Sequence, residues 1–396
     1  MSLKLLSLML CVFGITTGEF VIAGILPDVA GDLDVSIPAA GLLVTAYAIG
    51  MILGGPVLTA LTARYARKPL IVGLLVVVVV GNLASALAPA YSVLFVARVV
   101  TALVTATFFA NAIVIAASTA PEGKQASTVS KLVFGMNLSM MLGAPIGTFI
   151  GNNFGWRATF GTITVVCLIG LLLVLPLVPS VESATTGGSA VAELRVFRNR
   201  NVQLAILITA VANMGLLMVF TYFAPLLTDV TGFADGAVAV LLLVYGVGAA
   251  VGNFAGGWLS DRALMPSQVG LLGLLTAGLL VMWAVSGSAV GTAVMVFVIG
   301  ALGFSVIPGM QTRVLNTASS APTLAIAVNA SAYQIAAALA GWIGGRIIDG
   351  PGLRSVYFAA AAVTVLGILL SCYAWYRDRT TAGAGVEGKT TETSPA

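Results

Sequence analysis

One carboxylate, Glu19, lies in the stretch GITTGEFVIAGILP, inside a run from Leu5 to Pro27 that holds no other charged residue. A charge in the middle of a membrane-spanning helix costs about 2.5–3.5 kcal/mol on insertion scales, so it marks a function or a partner. The chain has no histidine, so a carboxylate must titrate if protons drive a process in this membrane. A carboxylate that alternates between dry and wet surroundings binds and releases a proton. We therefore predict that Glu19 carries protons.

Arg98 is a second charge inside an apolar run. It is seven residues from Tyr91, where its span is expected to leave the external side, and Glu19 is seven residues from Leu26, the external end of its own span. At 1.5 Å per residue both side chains lie about 10 Å below the outer surface and can face each other. We predict that Arg98 takes part in proton coupling; a structural ion pair between two helices is the alternative.

Polar and aromatic side chains within the spans are candidates for a substrate site. Thr101, Thr105 and Phe108 follow Arg98 at helical spacing on one face, which we expect to line a cavity beside Glu19. The further candidates are Phe20, Asn111, Asn137, Asn213, Tyr222, Asn253, Tyr333 and Gln334. For each of the polar ones alone an interhelical hydrogen bond is an equally good explanation, since polar residues also join membrane helices.

The elements that must position these residues are membrane-spanning helices. Of the 396 residues, 59% are hydrophobic and 8% are charged, whereas a soluble domain carries roughly 25% charged residues. A spanning helix needs about 20 mostly apolar residues. Twelve runs qualify: about 4–26, 38–62, 69–88, 91–117, 126–152, 156–178, 201–228, 236–258, 266–287, 289–316, 323–347 and 353–377. We predict an all-α polytopic membrane protein with 12 transmembrane helices.

The distribution of basic residues predicts the orientation. With the N-terminus inside, fourteen of the 18 Lys and Arg residues fall in cytoplasmic segments, three fall in external segments and Arg98 lies within a span. We therefore expect both termini in the cytoplasm. The net charge of +4 then reflects topology rather than nucleic-acid binding. The three cysteines lie in apolar runs and are predicted to be small core residues, not disulfides or metal ligands.

An internal repeat divides the chain into two halves. An offset of 198 residues pairs Pro27 with Pro225, and it likewise pairs Tyr47 with Tyr245, Gly50 with Gly248 and Gly54 with Gly252. Each half has six spans, so the halves lie parallel, and such repeats build transporters with a substrate site between them. We predict an N-terminal six-helix bundle over 1–180, a cytoplasmic linker over 181–200, a C-terminal six-helix bundle over 201–378 and a disordered cytoplasmic tail over 379–396. The offset pairs Glu19 with Leu217 and Arg98 with Val296, and charges present in only one half favour an added function.

Short motifs stand at fixed places along these spans. The loop after the second span reads TALTARYARK (59–68), and its counterpart in the second half reads GWLSDR (257–262). The fifth span contains GMNLSMMLGAPIG (135–147), and GWRATF (155–160) begins the sixth. Together with Arg98 and GEFVIAGILP, these motifs resemble the major facilitator superfamily, specifically the twelve-helix drug:proton antiporter branch with its chloramphenicol, sugar and purine efflux proteins. The resemblance covers nearly the whole chain.

The resemblance implies gating roles for the loops and the fifth span. The family loop reads G-x-L-x-D-R-x-G-R-K, and its aspartate holds the cytoplasmic faces of the two bundles together. Here Ala63 replaces that acid in the first half, whereas Asp261 keeps it in the second. A Gly and Pro cluster in the fifth span seals the bundle interface of exporters. The implied gating residues are Arg64, Arg67, Lys68, Gly143, Pro145, Gly147, Gly257, Asp261 and Arg262.

The resemblance and the two charges together predict a proton-coupled antiporter that exports small amphipathic drugs, chloramphenicol-like or multidrug, by alternating access. Export of a polar metabolite such as a sugar or a purine nucleoside is the alternative, and a membrane receptor or enzyme is the alternative from another class. No nucleotide-binding motif or Ser/His/Asp arrangement occurs, so we expect no enzyme, cofactor or metal site. The expected partners are a small-molecule substrate, protons and the lipid bilayer. We expect the protein to be a monomer that spans the bacterial inner membrane in several passes.

Overall fold

The computed structural model describes residues 3–35, 37–178 and 195–390. Within these residues twelve helices are long and apolar enough to cross a membrane, which confirms the predicted all-α class. The helices are α1 (Leu3–Phe20), α2 (Ile22–Asp32), α3 (Ile37–Thr62), α4 (Arg67–Ala86), α5 (Tyr91–Ser118), α6 (Gln125–Leu138), α7 (Ala144–Phe154), α8 (Trp156–Leu177), α9 (Arg200–Thr221), α10 (Asp235–Arg262), α11 (Leu264–Val285), α12 (Ala289–Thr317), α13 (Pro322–Asp349) and α14 (Ser355–Thr390). Twelve crossings return the chain to the side on which it starts. We call that side the terminal face and the other side the opposite face.

The first and seventh spans are broken near the opposite face, where an uninterrupted helix was predicted. The first span ends at Phe20 and resumes as α2 after Val21. The seventh ends at Thr221 and is followed by a helical turn, Phe223–Pro225, and a π-helical turn, Leu226–Val230. Pro225 explains the second break, because its ring lacks an N–H and clashes with the carbonyl four residues earlier, which belongs to Thr221.

The fifth span contains a π-helical turn, Ser139–Gly143, between α6 and α7. Pro145 lies in the first turn of α7, where a missing N–H costs least. A Cβ atom at Gly143 would lie 2.1 Å from Thr17 Oγ1, and one at Gly147 would lie 2.6 Å from Val21 Cγ2. The absence of side chains here lets side chains of the first span pack directly against the backbone of the fifth span, and small residues allow such close packing of membrane helices.

The internal repeat is visible in the packing. In the first half α3 packs on α5, and a Cβ atom at Gly54 would lie 2.6 Å from Leu103 Cα. In the second half α10 packs on α12, and a Cβ atom at Gly252 would lie 1.8 Å from the Ala301 carbonyl oxygen. Gly252 and Ala301 each follow Gly54 and Leu103 by 198 residues, so equivalent glycines meet equivalent positions. The two halves therefore share one helix-packing scheme.

Hydrogen bonds join the two halves on the side of the molecule toward the terminal face. Asn253 Nδ2 on α10 donates to the Ser130 carbonyl on α6 at 2.6 Å. Ser331 Oγ on α13 donates to the Ile52 carbonyl on α3 at 3.0 Å. These contacts pair one helix of each half on both sides of the pseudo-two-fold axis.

The ends of the predicted domains differ from expectation. Residues 379–390, predicted to be disordered, continue the last helix to Thr390, because extending an existing helix avoids the cost of nucleating a new one. Residues 391–396, residues 181–194 of the predicted linker, and residues 179 and 180 at the end of the predicted N-terminal bundle lie outside the described residues. Cys11 and Cys167 are buried as predicted, whereas Cys372 is exposed on the outer surface of α14.

Candidate functional site

A cavity of about 310 Å³ lies between the two halves. Helices α1, α3, α5 and α6 line it from the first half, and α9, α10, α12 and α13 line it from the second. Its volume falls at the lower end of the range for small-molecule sites, which are mostly apolar with a few polar groups. The cavity is therefore the candidate site, and it lies where a parallel repeat is expected to place one.

Glu19 is the single acidic residue among the described residues that line the cavity. It occupies the last turn of α1, next to the break at Val21. Gln334 on α13 donates from Nε2 to Glu19 Oε1 at 3.3 Å and also contacts Met51 Sδ at 3.4 Å. One hydrogen bond thus connects the carboxylate in the first half to a helix of the second half.

Arg98 is buried beside Glu19 but does not bond to its carboxylate. Arg98 Nη1 donates to the Gly18 carbonyl at 2.7 Å, and its guanidinium carbon lies 4.3 Å from the centre of the Tyr47 ring. The Tyr47 hydroxyl is in turn 2.9 Å from Thr105 Oγ1. Arg98 and Glu19 are still close enough for their charges to interact. The two residues therefore lie near each other as expected, but Arg98 bonds to the backbone carbonyl of Gly18 and forms no ion pair with the Glu19 carboxylate.

The stripe of Thr101, Thr105 and Phe108 does not line the cavity, contrary to expectation. Both threonines donate to the carbonyl four residues earlier in their own helix, at 2.8 Å each. Phe108 has no exposed surface. The neighbouring face of α5, with Phe109 and Ile113, faces the cavity instead. Threonine hydroxyls commonly bond back to the helix in this way, so their presence did not mark a wet surface.

The remaining predicted substrate residues divide into two groups. The cavity is lined by Phe20, Asn137, Asn213, Tyr333 and Gln334. Three others do not line it and bond within the protein instead. Asn111 Nδ2 donates to the Thr107 carbonyl at 2.9 Å, Tyr222 donates to the Gly341 carbonyl at 2.5 Å, and Asn253 bonds to Ser130. For these three the interhelical or local hydrogen bond accounts for the polar side chain.

The structure adds polar lining residues that were not singled out from the sequence. Asn329 on α13 and Gln311 on α12 both line the cavity. The signal that identifies Asn213, a polar side chain inside an apolar span, also applies to them. Their position was obscured by the other polar residues of the tenth and eleventh spans.

The second half contributes an aromatic and apolar wall. The ring centres of Phe220 and Tyr245 are 5.5 Å apart, and those of Tyr245 and Phe304 are 6.2 Å apart at an interplanar angle of 81°. Met310 of the second half and Met140, from the π-helical turn of the first half, complete this surface. Methionine side chains adapt to ligands of different shape. The wall can therefore hold the apolar part of a small molecule.

Asp261 joins the halves at the terminal face. It is next to the last residue of α10, and its carboxylate accepts hydrogen bonds from the backbone N–H of Ala126 at 2.8 Å and of Ser127 at 3.1 Å, and from the Ser127 hydroxyl. These N–H groups belong to the first turn of α6, where unpaired donors and the helix dipole favour an anion. The resemblance to the family implies that this loop aspartate holds the two bundles together, and the contact has a suitable geometry. We call it the latch.

The other candidates for gating in the loops lie near the Asp261 contact or in the equivalent loop of the first half. A Cβ atom at Gly257 would lie 2.8 Å from Ser130 Oγ, so the glycine allows α10 to approach α6. The Arg262 guanidinium carbon lies 3.4 Å from the centre of the Trp258 ring. In the first half Arg64 lies near the Tyr65 ring, and Arg67 and Lys68 begin α4.

Comparison with known proteins gives one consistent family. The model of the Major Facilitator Superfamily matches residues 8–324. The inner membrane transport protein YdhP of Escherichia coli (strain K12) is 36% identical over 370 residues, 92% of this chain and 94% of the relative. A chloramphenicol resistance protein of Streptomyces lividans is 36% identical over 345 residues, 85% of this chain and 86% of the relative. A solved structure of the proton:xylose symporter XylE has the same fold, with a TM-score of 0.76 at 16% identity over 93% of this chain and 94% of that one.

Proposed function

Because this chain belongs to the Major Facilitator Superfamily, whose members are multi-pass membrane transporters rather than enzymes, we propose that it is a proton-coupled antiporter. It exports small amphipathic molecules across a bacterial inner membrane. Both chain termini and the terminal face are on the cytoplasmic side in this proposal, as the excess of basic residues there favours.

The observation that carries the proposal is the place of Glu19. It is the one acid among the described residues that line the cavity, and it lies at the break between α1 and α2. Its hydrogen bond to Gln334 crosses from one half to the other, so a relative movement of the halves changes the surroundings of the carboxylate. A carboxylate whose solvation changes between two states exchanges a proton between them.

The aromatic wall supports an amphipathic substrate. The Phe220, Tyr245 and Phe304 rings and two methionines bury apolar surface, while Glu19 and a few amides provide polar contacts. That mixture is typical of sites for small organic molecules. A relative 36% identical to this chain is a chloramphenicol resistance protein. A molecule of the size of chloramphenicol is compatible with the cavity of about 310 Å³.

Alternating access is the proposed mechanism. Apart from the contacts of Gln334 with Glu19 and Met51, the hydrogen bonds between the halves in the described part of the chain lie toward the terminal face, at Asp261, Asn253 and Ser331. Opening on the cytoplasmic side must break them, and closing on the other side must replace them. Since the halves share one packing scheme, each can move as a unit about the cavity.

A polar metabolite is the second candidate substrate. The specific observation in its favour is the number of amide side chains in the cavity, which include Asn137, Asn213 and Asn329. A sugar or nucleoside offers several hydroxyl groups to such side chains.

The test is transport by purified protein in liposomes with an imposed pH step. Wild-type protein is expected to accumulate radiolabelled chloramphenicol against its gradient, and Glu19→Gln is expected to lose uphill accumulation while still equilibrating the drug. Glutamine keeps the size of glutamate and one oxygen that can accept from Gln334, but it does not titrate. Glu122→Gln is the matched control, because Glu122 is an exposed acid in the loop between α5 and α6.

Uphill accumulation by Glu19→Gln at the wild-type level would show that Glu19 is not the proton carrier. If wild-type protein does not respond to the pH step with chloramphenicol, a growth-inhibition panel of antibiotics and sugars in an efflux-deficient host identifies the substrate. A panel in which no compound is exported would refute the exporter.

A further inference from the structure

The Glu19 carboxylate has one hydrogen-bond partner within the described part of the chain, the Gln334 amide on α13 at 3.3 Å. An ionised carboxylate can only accept, so the Gln334 nitrogen faces it and the bond is charge-assisted. Hydrogen bonds between neutral groups are roughly half as strong. Protonation of Glu19 therefore weakens the contact, and the strength of this bond depends on whether a proton is bound.

The bond to Glu19 is also the hydrogen bond between the halves that lies farthest from the terminal face among the described residues. Ser331, one turn earlier on the same face of α13, donates to the Ile52 carbonyl at 3.0 Å, and Gln334 also contacts Met51 Sδ at 3.4 Å. These two contacts place one face of α13 against consecutive residues of α3. They hold the Gln334 amide beside the end of α1, where it connects the second half to the carboxylate.

The internal repeat has apolar side chains at the equivalent places. The 198-residue offset pairs Glu19 with Leu217 and Gln334 with Met136. Leu217 on α9 and Met136 on α6 both line the same cavity. Apolar side chains are therefore sufficient for packing at this position of the fold. The acid and the amide that bonds to it occur together on one side of the pseudo-two-fold axis, which favours a shared role.

We infer that Gln334 is a positioning residue that couples the charge of Glu19 to the relative movement of the two halves. While Glu19 is ionised, its bond to Gln334 holds the halves together and keeps the empty transporter from switching between its two access states. Proton binding weakens the bond and frees the halves to move. A bound drug has the same effect because it displaces the amide from the carboxylate. The inference rests on the proposed proton coupling and specifies what prevents an unloaded transporter from cycling.

The groups around Glu19 limit what else a pH effect can report. Four other charged or titratable side chains face this part of α1: Tyr47 on α3, Arg98 on α5, Cys167 on α8 and Tyr333 on α13. Tyrosine and cysteine ordinarily have pKa values of about 10 and about 8.5, and arginine stays charged, so these groups keep their protons between pH 5.5 and pH 7.5. A proton carrier must titrate within the range in which the transporter works. A pH effect that depends on Gln334 in this interval is therefore assigned to Glu19.

Downhill flux of radiolabelled chloramphenicol out of liposomes tests this role, with the same pH on both sides of the membrane. A different compound that the growth-inhibition panel identifies as the substrate would take its place. Wild-type flux is expected to be slower at pH 7.5 than at pH 5.5, because the empty transporter must bind a proton before it returns. Gln334→Met keeps the length of the side chain but donates no hydrogen bond. We expect it to raise the flux at pH 7.5 by about 3- to 10-fold, toward the flux at pH 5.5, as the loss of one hydrogen bond implies.

Met136→Gln is the matched control, because it introduces the same amide at the equivalent position of the repeat, where Leu217 offers no carboxylate. It should keep the wild-type ratio of the fluxes at the two pH values. Gln334→Leu removes the same donor and serves if Gln334→Met does not fold. Since the expected change is a gain in flux at pH 7.5, a loss of folded protein cannot produce it.

Three results would overturn the role of Gln334: wild-type pH dependence in both Gln334 variants, slower flux in them at pH 7.5, or the same gain in Met136→Gln. The proposed proton carrier stands in these cases if Glu19→Gln makes the flux independent of pH and abolishes uphill transport. Equal wild-type fluxes at the two pH values, or a pH dependence that survives Glu19→Gln, would refute the proton coupling and the inference with it.

Discussion

At the scale of single residues, Arg98 connects the fourth span to the end of α1. Its bond to the Gly18 carbonyl falls in the last turn of α1, where carbonyls lack intrahelical partners and the helix dipole is negative. A cation in the last turn of a helix is stabilised by this dipole. We infer that Arg98 holds the backbone beside Glu19 in place, and that it influences the carboxylate by position and field rather than by a direct bond.

Asp32 makes the contact whose pH dependence is easiest to predict. The carboxylate, at the end of α2, accepts hydrogen bonds from Arg157 and from Trp156 Nε1, the latter at 3.1 Å, and Arg157 also donates to the Ala88 carbonyl at 2.9 Å. The Arg157 and Trp156 hydrogen bonds hold the pKa of Asp32 below its usual range. The stabilisation is therefore present above the ordinary pKa of about 3.9 and is lost as the pH falls through the lowered value.

We expect α2 to stay docked on the start of α8 between pH 8 and pH 4 and to undock only below that range. Trp156 fluorescence reports the change in a variant whose other four tryptophans are phenylalanine. Asp32→Asn is expected to abolish the acid transition, whereas Asp34→Asn, two residues further along, keeps it. A transition between pH 5 and pH 8 that survives Asp32→Asn would contradict this assignment.

The sequence predicted which polar residues are special better than it predicted where they point. Glu19, Asn137 and Asn213 stand out as polar groups in apolar spans, and all three line the cavity. Which face of α5 lines the cavity could not be predicted from the sequence. Of the most apolar 18-residue stretch of this helix, 83% is buried, so no solvated side gives the helix an amphipathic pattern. The bond from Arg98 to Gly18 joins residues 80 apart, which no local pattern specifies.

At the scale of helices, glycine contacts determine how closely neighbouring spans approach. At Gly248, Gly252 and Gly256 an added Cβ atom would lie 2.2, 1.8 and 1.8 Å from carbonyl oxygens of α12. Backbone atoms cannot move aside as the end of a flexible side chain can. The pair α10–α12 is therefore the place where an added methyl group should separate two helices rather than displace a side chain.

We predict that Gly252→Ala lowers the stability of the protein by about 1–3 kcal/mol, the usual cost of overpacking. Gly273→Ala is the matched control, since it lies within α11 with no neighbouring atom within 4 Å of an added Cβ. It should raise helix stability by up to about 1 kcal/mol. Unfolding midpoints in detergent compare the two variants. Equal midpoints, or a lower one for Gly273→Ala, would refute the role of the glycine contact.

The helix ends show what the sequence could and could not predict at this scale. The predicted and observed bounds of the tenth span, 289–316 and Ala289–Thr317, nearly coincide because polar residues bracket an apolar run. The breaks at Val21 and Tyr222 were missed, since hydrophobic residues continue across both. Hydropathy reports that a segment is in the membrane, but it does not report whether the helix is interrupted there.

At the scale of the whole molecule, the repeat keeps the latch acid in the second half and replaces it with alanine in the first. Asp261 accepts from the first turn of α6. Its counterpart at the 198-residue offset is Ala63, and the counterpart of the α6 start is the start of α13 at Pro322. An acid at a helix N-terminus contributes about 0.3–1 kcal/mol, which changes a balanced equilibrium up to about fivefold.

We therefore predict that Ala63→Asp favours closure of the terminal face and Asp261→Asn favours its opening. Electron paramagnetic resonance distances between labels on Ala66 and Leu264 measure both shifts. Distances should shorten in Ala63→Asp and lengthen in Asp261→Asn, and Asp349→Asn, a charge loss on the opposite face, should change neither. Longer distances in Ala63→Asp, or unchanged distances in both latch variants, would argue against the latch.

A single acid in the cavity also decides how voltage acts on the proposed exchange. Trading one inward proton for one outward neutral molecule carries one positive charge into the cell in each cycle. A membrane potential of 100 mV then adds about 2.3 kcal/mol, which corresponds to roughly a 50-fold concentration ratio. For a singly charged cationic substrate the two charges cancel, and only the pH difference remains. In the proposed exchange, the single acid at Glu19 thus ties the export of uncharged molecules to the electrical gradient, even at an external pH where the pH difference has vanished.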